Sequence, residues 1–107
     1  MAISACGSMN LRIIQIIEAR ASNVDAIRSL EADWEQATEG KRTTRRSILT
    51  QDRNDPGRHL IIVFFDSYES AVENSNLPET QEFAAKLAAV LDGPMIFHDL
   101  DVTEDRE

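Results

Sequence analysis

The hydrophobic positions of this chain fall into two patterns, continuous apolar runs and repeats at helical spacing. The runs LRIIQII (residues 11–17) and HLIIVFF (residues 59–65) are apolar on both faces of an extended strand, since successive side chains of a strand point to opposite sides of its sheet. A large apolar surface is rarely left in water. We therefore expect helices of the chain to cover one face, and a ligand cleft or a second copy of the chain to cover the other.

The first helical repeat follows the first apolar run. Ser22 with Asp25 three residues later resembles a capping box, and Gly40 is a typical residue to end a helix. A tryptophan in the apolar stripe between them is more often a core residue than a platform on which a ligand stacks. The predicted stripe consists of Val24, Ile27, Leu30, Trp34 and Ala37.

A second helical region follows the second apolar run, and a proline interrupts it. Ser67 is a suitable N-cap for its first segment. Leu77 and Pro78 end that segment, because proline lacks the backbone donor and disfavours a helical conformation at the residue before it. Pro78 then suits the first turn of a new helix, which ends at the Asp-Gly-Pro sequence of residues 92–94.

Two further segments have strand character. Residues 43–51 are rich in Thr and Arg and only lightly apolar, as is typical of an edge strand or a strand that lines a cleft. Turn-forming residues 51–58 predict a rather long loop in an antiparallel hairpin with the central strand, residues 59–65. In the last strand, residues 95–102, the more core-like face consists of Ile96, His98, Leu100 and Val102.

The predicted order of elements is strand, helix, strand, strand, helix, strand. Such a chain forms a ferredoxin-like α+β sandwich, in which a four-stranded antiparallel sheet carries both helices on one face. The right-handed crossover rule leaves few other connections. We expect one domain over residues 9–103, with residues 1–8 as a disordered leader or expression remnant and residues 104–107 as an acidic tail.

Composition narrows the classes of function. The chain has 107 residues, 19 acidic and 11 basic, and a formal net charge of −8. This balance argues against nucleic-acid binding, which requires clustered Lys and Arg, and no apolar stretch approaches the length of a membrane span, about 20 residues. The single cysteine, Cys6, excludes an internal disulfide and a CxxC site and is typical of a cytoplasmic protein.

The segment HLIIVFFDSYESAVENSNLPETQEFAAKLAAVLDGPMIFHDLDV (residues 59–102) resembles the second half of the dimeric α+β barrel superfamily, which includes the antibiotic biosynthesis monooxygenase-like domains. The shared features are an apolar strand, an acidic helix start, a proline-broken second helix and a last strand after a Gly-Pro turn. The resemblance implies a homodimer whose sheets pack face to face, with a cleft between the sheet and the helices of each protomer. In catalytic members this cleft takes a flat aromatic molecule or a haem.

Many of these relatives have a His in the second helix just before its break, where this chain has Asn74 in the sequence SAVENSNLPET. The resemblance therefore argues against haem degradation, which normally needs such a ligand, and no cofactor is expected. Oxygenation without a cofactor requires an apolar cavity and a group that accepts a proton from a phenolic substrate. The candidate catalytic residues are His59, His98 and Asn74, although a solvated His59 and a hydrogen-bonded His98 are the more ordinary interpretations.

The candidate ligand-binding residues are Trp34, Arg46, Arg12 and Phe64. Each arginine shares a strand face with apolar residues, where it needs a carboxylate from the chain, from a second copy or from an acidic ligand. The two histidines are too far apart in sequence to suggest metal ligands, so no metal site is expected. Two hypotheses follow: a noncatalytic dimeric α+β barrel protein that binds a small hydrophobic or aromatic molecule or serves as an interaction module, and a cofactor-independent monooxygenase for an aromatic, polyketide-like substrate.

Overall fold

Four strands and three helices make up the computed structural model of the chain, which describes residues 11–107. The prediction for residues 1–8 lies outside the described residues. None of these helices has the length and apolar character of a membrane-spanning segment. The strands are β1 (Ile13–Arg20), β2 (Thr44–Asp52), β3 (Asp55–Phe65) and β4 (Ile96–Asp101), and the helices are α1 (Val24–Ala37), α2 (Tyr68–Ser75) and α3 (Pro78–Val90).

The strands form one antiparallel sheet in the order β2-β3-β1-β4. The two apolar runs lie at its centre, as β1 and β3, and the lightly apolar β2 is an edge strand, as its sequence indicates. The second helical region is divided at Pro78, which occupies the first turn of α3. The predicted ferredoxin-like α+β fold of the chain is confirmed.

One face of the sheet, called the helix face here, packs against the helices. Residues of this face pack in one core with Ile27 of α1, Ala71 of α2 and Leu87 of α3. These three helix residues are 0%, 6% and 1% exposed. Burial of a large aliphatic side chain contributes about 1.5–3 kcal/mol, so this face holds the single chain together. Its buried sheet residues are Ile13, Ile17, Ala19, His59, Ile61, Val63 and Phe65.

The opposite side of the sheet, called the open face here, has no helix from residues 11–107 packed on it. In β4, Ile96 and Leu100 point to this face and are 49% and 45% exposed. The prediction that they belong to the core-like face of the last strand is wrong for the single chain, because they point away from the helices. The apolar side chains that β1 and β3 contribute to the open face are Ile14, Ile16, Leu60, Ile62 and Phe64.

The start of α1 differs from the prediction by one residue. The N-cap is Asn23, whose side-chain oxygen accepts a hydrogen bond from the backbone N–H of Asp25 at 3.1 Å, whereas Ser22 lies one residue too early. At the other end the Thr38 hydroxyl donates to the Trp34 carbonyl oxygen at 2.7 Å, and Gly40, with a φ of 80°, lets the chain reverse.

The hairpin between β2 and β3 is tight, so the predicted long loop is wrong. β2 ends at Asp52 and β3 begins at Asp55. A side-chain oxygen of Asp52 accepts a hydrogen bond from the backbone N–H of Asn54 at 2.8 Å, which stabilises the turn. The turn-forming residues Pro56 and Gly57 belong to the first part of β3 instead of a loop.

Candidate functional site

A cavity of about 330 Å³ lies between the helix face of the sheet and the helices. Its floor is formed by apolar sheet residues, among them Ile17, Leu49 and Ile61, and each of the three helices contributes to its wall. Small side chains, such as Ser47 on β2 and Ala84 on α3, leave this space unfilled. Its volume lies in the range of small-molecule sites, and its position is that of the cleft implied by the resemblance. We call it the sheet–helix cavity.

Trp34 and Phe83 form an aromatic wall of the sheet–helix cavity. Their ring centroids are 6.1 Å apart with an interplanar angle of 45°, which suits an aromatic pair. The Trp34 indole N–H donates a hydrogen bond to Thr80 Oγ1 at 3.0 Å, and this bond holds the ring in place. The Arg42 guanidinium lies 6.0 Å from the Trp34 ring centroid and does not line the cavity. The candidate residue Trp34 therefore lies at the cavity rather than deep in the core.

Asn74, the second candidate residue at the cavity, lies on α2 just before the helix break. The residue is 6% exposed. Its Oδ1 accepts a hydrogen bond from the backbone N–H of Thr43 at 3.3 Å, which ties α2 to the start of β2. Within residues 11–107 its Nδ2 group donates no hydrogen bond, so Asn74 offers a neutral donor to a molecule in the cavity.

Glu31 is a candidate functional residue that the sequence analysis missed. It lies on α1 between Ile27 and Trp34 at helical spacing, lines the sheet–helix cavity and is partly buried. In the described part of the chain its carboxylate makes no ion pair and no side-chain hydrogen bond. Burial, and to a lesser degree the nearby charge of Glu35, raise the pKa of Glu31. A carboxylate inside the predicted apolar stripe was the signal that could have revealed it.

The charges that line the sheet–helix cavity are all negative. Glu31 and Glu35 contribute carboxylates, whereas no Lys, Arg or His among residues 11–107 lines the cavity. The other polar lining groups are neutral amides and hydroxyls, such as Gln15, whose Nε2 donates to Asp99 Oδ1 at 3.0 Å. Carboxylates only accept hydrogen bonds when ionised, so this cavity is rich in acceptors and has no cationic donor.

His59 does not line the cavity. It is 1% exposed on the helix face, in register with Ala19 of β1 and Gln51 of β2. Its Nδ1 has no hydrogen-bond partner among the described residues. The expectation of a solvated His59 is wrong, because β3 begins earlier, at Asp55, and the side chain is buried on the helix face. Its position at the end of the core favours a structural role.

His98 lies on the open face, in a group of charged residues that we call the edge cluster: Glu18, Asp52, Arg58 and His98. Its Nε2 is 3.5 Å from a carboxylate oxygen of Glu18. Arg58 forms ion pairs with Glu18 and, at 3.1 Å, with Asp52. The Arg58 guanidinium, followed by the His98 imidazole, lowers the pKa of Glu18. A hydrogen bond from the Asn54 backbone, followed by Arg58, lowers the pKa of Asp52.

The three other candidate ligand-binding residues also lie away from the cavity. Phe64 points to the open face and is in register with Arg46. Arg12 forms an exposed ion pair with Asp105 at 2.9 Å, so the acidic C-terminal tail supplies the carboxylate it was expected to need. Arg46 makes no ion pair with any residue from 11 to 107. An acidic ligand held by these arginines would lie on the other side of the sheet from Trp34.

The residues at the cavity do not fit a haem iron. Neither His59 nor His98 lines it, and the position of the relatives' helix His is occupied by Asn74, whose side-chain oxygen already accepts the Thr43 N–H. Nor do residues 11–107 contain a group of three or more His, Cys, Asp or Glu side chains arranged to hold a metal ion. The chemistry of the cavity must therefore be argued from its carboxylate, amide and aromatic groups.

Comparison with known proteins yields matches among solved structures only. No model of a known protein family matches the sequence, and no curated protein matches it. A protein from Caulobacter crescentus that is provisionally named an antibiotic biosynthesis monooxygenase superposes with a TM-score of 0.77 at 10% identity. The match covers 95% of this chain and 99% of that chain.

Two further structures extend this similarity. A conserved protein from Methanosarcina mazei has a TM-score of 0.74 at 12% identity, over 89% of this chain and 96% of its own. A protein from Deinococcus radiodurans, also provisionally named an antibiotic biosynthesis monooxygenase, has a TM-score of 0.72 at 19% identity, with the same coverage of 89% and 96%. The chain therefore has the ferredoxin-like α+β fold of the antibiotic biosynthesis monooxygenase-like proteins, and the resemblance seen in its sequence is confirmed at the level of the fold.

Proposed function

We propose that this protein binds a small hydrophobic or aromatic molecule in the sheet–helix cavity. The observation that carries the proposal is the cavity itself, about 330 Å³ of space between the sheet and the helices. It has an apolar floor, an aromatic wall and a few polar groups. An apolar pocket in which a few polar groups converge is the strongest general indicator of a binding site.

The aromatic wall supports this proposal because it is already in position. Trp34 does not collapse into the cavity, since its indole N–H is held by Thr80. A flat ligand could stack on the exposed part of the indole, while the Asn74 amide donates a hydrogen bond to a ligand oxygen. A pre-formed wall lowers the ordering cost of binding, so a rigid aromatic molecule fits this cavity better than a flexible chain.

A fluorescence titration tests the binding function. Trp34 is the only tryptophan of the chain, so its emission reports on the cavity directly. We expect 2-naphthalenemethanol, a neutral aromatic alcohol, to quench this emission saturably. In Ala84→Phe the larger side chain occupies part of the cavity, and the affinity should fall by about tenfold or more. The absence of saturable binding to the wild-type protein, or equal affinity in both proteins, would contradict the proposal.

We also propose that a second copy of the chain covers the open face. The centre of this face is apolar, with Ile16 and Ile62 paired in register, whereas Arg46 and the edge cluster lie toward its borders. An apolar centre with a polar rim is typical of protein–protein interfaces. Two such sheets can pack face to face at a separation of about 10 Å. The resemblance to dimeric α+β barrels independently favours this arrangement.

One observation favours a second function, cofactor-independent oxygenation of an aromatic, polyketide-like substrate. Glu31 lines the cavity, and its raised pKa suits a group that accepts a proton from a phenol. With naphthol as the substrate, naphthol and O₂ would give naphthoquinone and water, and naphthol would supply the electrons and both hydrogens of the water. The names of the Caulobacter and Deinococcus proteins agree with this chemistry.

Oxygen uptake tests the second function. The wild-type protein with naphthol should consume O₂ faster than naphthol in buffer, both with and without a metal chelator. Glu31→Gln cannot accept the phenolic proton, and its rate should fall by about 100-fold or more, as is usual for loss of a general base. A wild-type rate equal to that in buffer would exclude this reaction for naphthol and leave the binding function intact.

A further inference from the structure

We infer that the sheet–helix cavity selects its ligand by charge through the Glu31 carboxylate: it favours an aromatic amine over an aromatic alcohol, and it rejects an aromatic carboxylate. This inference deepens the proposed binding function and rests on it. Glu31 lines the cavity from the apolar stripe of α1. Its carboxylate has no hydrogen-bonding or ionic partner in the described part of the chain.

The charged side chains that line the cavity are all acidic. Glu31 and Glu35 lie one helical turn apart, and both line it. Arg42, a basic side chain on the same side of the sheet, lies against the Trp34 ring and donates a hydrogen bond to the backbone oxygen of Glu35 at 2.7 Å. It does not line the cavity. No positive charge from residues 11–107 therefore neutralises Glu31 where a ligand would bind.

The lining groups of the cavity can distinguish ligands by their charge. A partly buried carboxylate without a partner gains a charge-assisted hydrogen bond from a ligand ammonium group and a weaker, neutral one from a ligand hydroxyl. The faces of Trp34 and Phe83 also attract a cation. A ligand carboxylate would instead bring a further negative charge beside Glu31 and Glu35. The Asn74 amide can donate to an anion, but it has no charge with which to offset this repulsion.

The burial of Glu31 agrees with this arrangement. Its pKa is raised by burial and by Glu35, which indicates that the ionised carboxylate lacks stabilisation in the free protein. A cationic ligand would supply that stabilisation and favour the ionised form. The preference for the amine should therefore be present at neutral pH and weaken as the pH falls and Glu31 becomes protonated.

Three ligands with the same ring test the inference: 2-naphthylmethylamine, 2-naphthalenemethanol and 2-naphthoate. Each is titrated against the Trp34 emission of the full chain at neutral pH and low salt. We expect the amine to bind about tenfold more tightly than the alcohol, and the alcohol about tenfold more tightly than the carboxylate. In Glu31→Gln the preference for the amine over the alcohol should fall to about threefold or less, because only Glu35 and the aromatic faces then attract the ammonium group. The affinity for the carboxylate should rise.

A matched control separates the local charge from the net charge of the protein. Glu69→Gln removes the same charge from an exposed position on α2 that does not line the cavity. It should keep the wild-type ratios of affinity for the three ligands. If Glu31→Gln is not folded by circular dichroism, the wild-type protein provides the second test. Its ratio of amine to alcohol affinity should fall toward one as the pH is lowered and Glu31 is protonated.

The outcomes distinguish this inference from the binding function on which it rests. If the carboxylate binds as tightly as the amine, or if Glu31→Gln keeps the wild-type affinity ratios, charge selection by Glu31 is overturned. The binding function then still stands, because the neutral alcohol binds. If none of the three ligands binds, the binding function fails and the inference fails with it. A wild-type affinity ratio that does not change with pH also overturns the inference.

Discussion

The two faces of the sheet are made from the same apolar strands but differ in what covers them. Ile61 and Ile62 are neighbours on β3, yet Ile61 is 2% exposed under the helices whereas Ile62 points to the open face. The helix face is completed by the chain itself and encloses a cavity. The open face remains available to another molecule. The same apolar runs therefore contribute twice: alternate residues stabilise the fold, and the residues between them leave the apolar surface on which we propose that a second copy packs.

The two faces of the sheet also differ in their charged residues. The sheet–helix cavity is lined by Glu31 and Glu35 without a basic side chain from the described residues, whereas Arg46 and the edge cluster lie on the open side. The sheet keeps these groups apart. A neutral or cationic aromatic ligand therefore suits one face, and a partner of complementary shape suits the other.

The largest expected effect comes from a charge at the centre of the open face. In Ile62→Asp a symmetric dimer would bury two unpaired carboxylates, each at a cost of several kcal/mol, and the dissociation constant should rise by about 100-fold or more. Sedimentation equilibrium measures the change. Val72→Asp, at a 39% exposed apolar position on α2, is the control and should remain dimeric. A wild-type protein that is monomeric at high concentration would contradict the proposal that a second copy covers the open face.

A matched pair of truncations sharpens the comparison. Ile61→Ala removes buried atoms from the core of the single chain and should lower the free energy of unfolding by about 2–5 kcal/mol. Ile62→Ala should have a smaller effect on the isolated chain. Its loss of stability should depend on protein concentration, since Ile62 would make its contacts in the proposed dimer. Urea unfolding at two protein concentrations separates the two cases. Equal, concentration-independent losses would show that both faces belong to one core.

A smaller effect is expected from loss of the hydrogen bond that holds the aromatic wall in place. Thr80→Val keeps the shape of the side chain and removes the oxygen that accepts the Trp34 indole N–H. The loss of one hydrogen bond corresponds to about 1 kcal/mol, so the affinity for 2-naphthalenemethanol should fall about fivefold while the dimer persists. A change in dimer affinity as large as the change in ligand affinity would indicate that the two faces are coupled.

The smallest expected effect is the contribution of the edge cluster to stability at acidic pH. The pKa of Glu18 and that of Asp52 are lowered from their ordinary values of 4.5 and 3.8. In the unfolded chain these two carboxylates therefore bind protons more readily than in the folded protein. They stabilise the fold at pH values above their ordinary pKa values, and this contribution is lost as the pH falls through their lowered pKa values in the folded protein. The melting temperature of Arg58→Gln should change less than that of the wild-type protein over this acidic range.

The control for this change is Arg28→Gln, which removes an exposed pair with Asp25 whose side chains are 67% and 82% exposed. Its acid profile should match the wild-type profile, because exposed pairs contribute little to stability. Circular dichroism melts at several pH values give all three profiles. Identical profiles for Arg58→Gln and the wild-type protein would contradict the assigned role of Arg58.

The sequence was sufficient for the fold because its signals agree with one another. The apolar runs marked β1 and β3, and Pro78 marked the break between α2 and α3. The site was less predictable. Because side chains alternate along a strand, Arg12 and Ile13 lie on opposite faces of β1, but both faces are apolar, so the sequence could not decide which one the helices cover. The sequence analysis therefore grouped Arg12 and Arg46 with Trp34 as candidate ligand-binding residues, although the sheet separates both arginines from Trp34.

Tertiary packing explains the other differences. Turn-forming residues before His59 suggested a solvated histidine, whereas the strand begins among those residues and buries it. Glu31 is one of many acidic residues, and only the assembled sheet and helices show that it lines the cavity. A strong periodic pattern thus predicts an element, but the identity of a cavity-lining residue depends on contacts between elements.

Native mass spectrometry with 2-naphthylmethylamine tests most directly the central claim that one face of the sheet binds a ligand and the other a second copy. We expect a dimer with two bound amines for the wild-type protein, a monomer with one amine for Ile62→Asp and, at the same amine concentration, a dimer with little or no bound amine for Ala84→Phe. Circular dichroism confirms that each variant is folded. A folded Ile62→Asp that stays dimeric, or a single variant that loses both the partner and the amine, would contradict the claim.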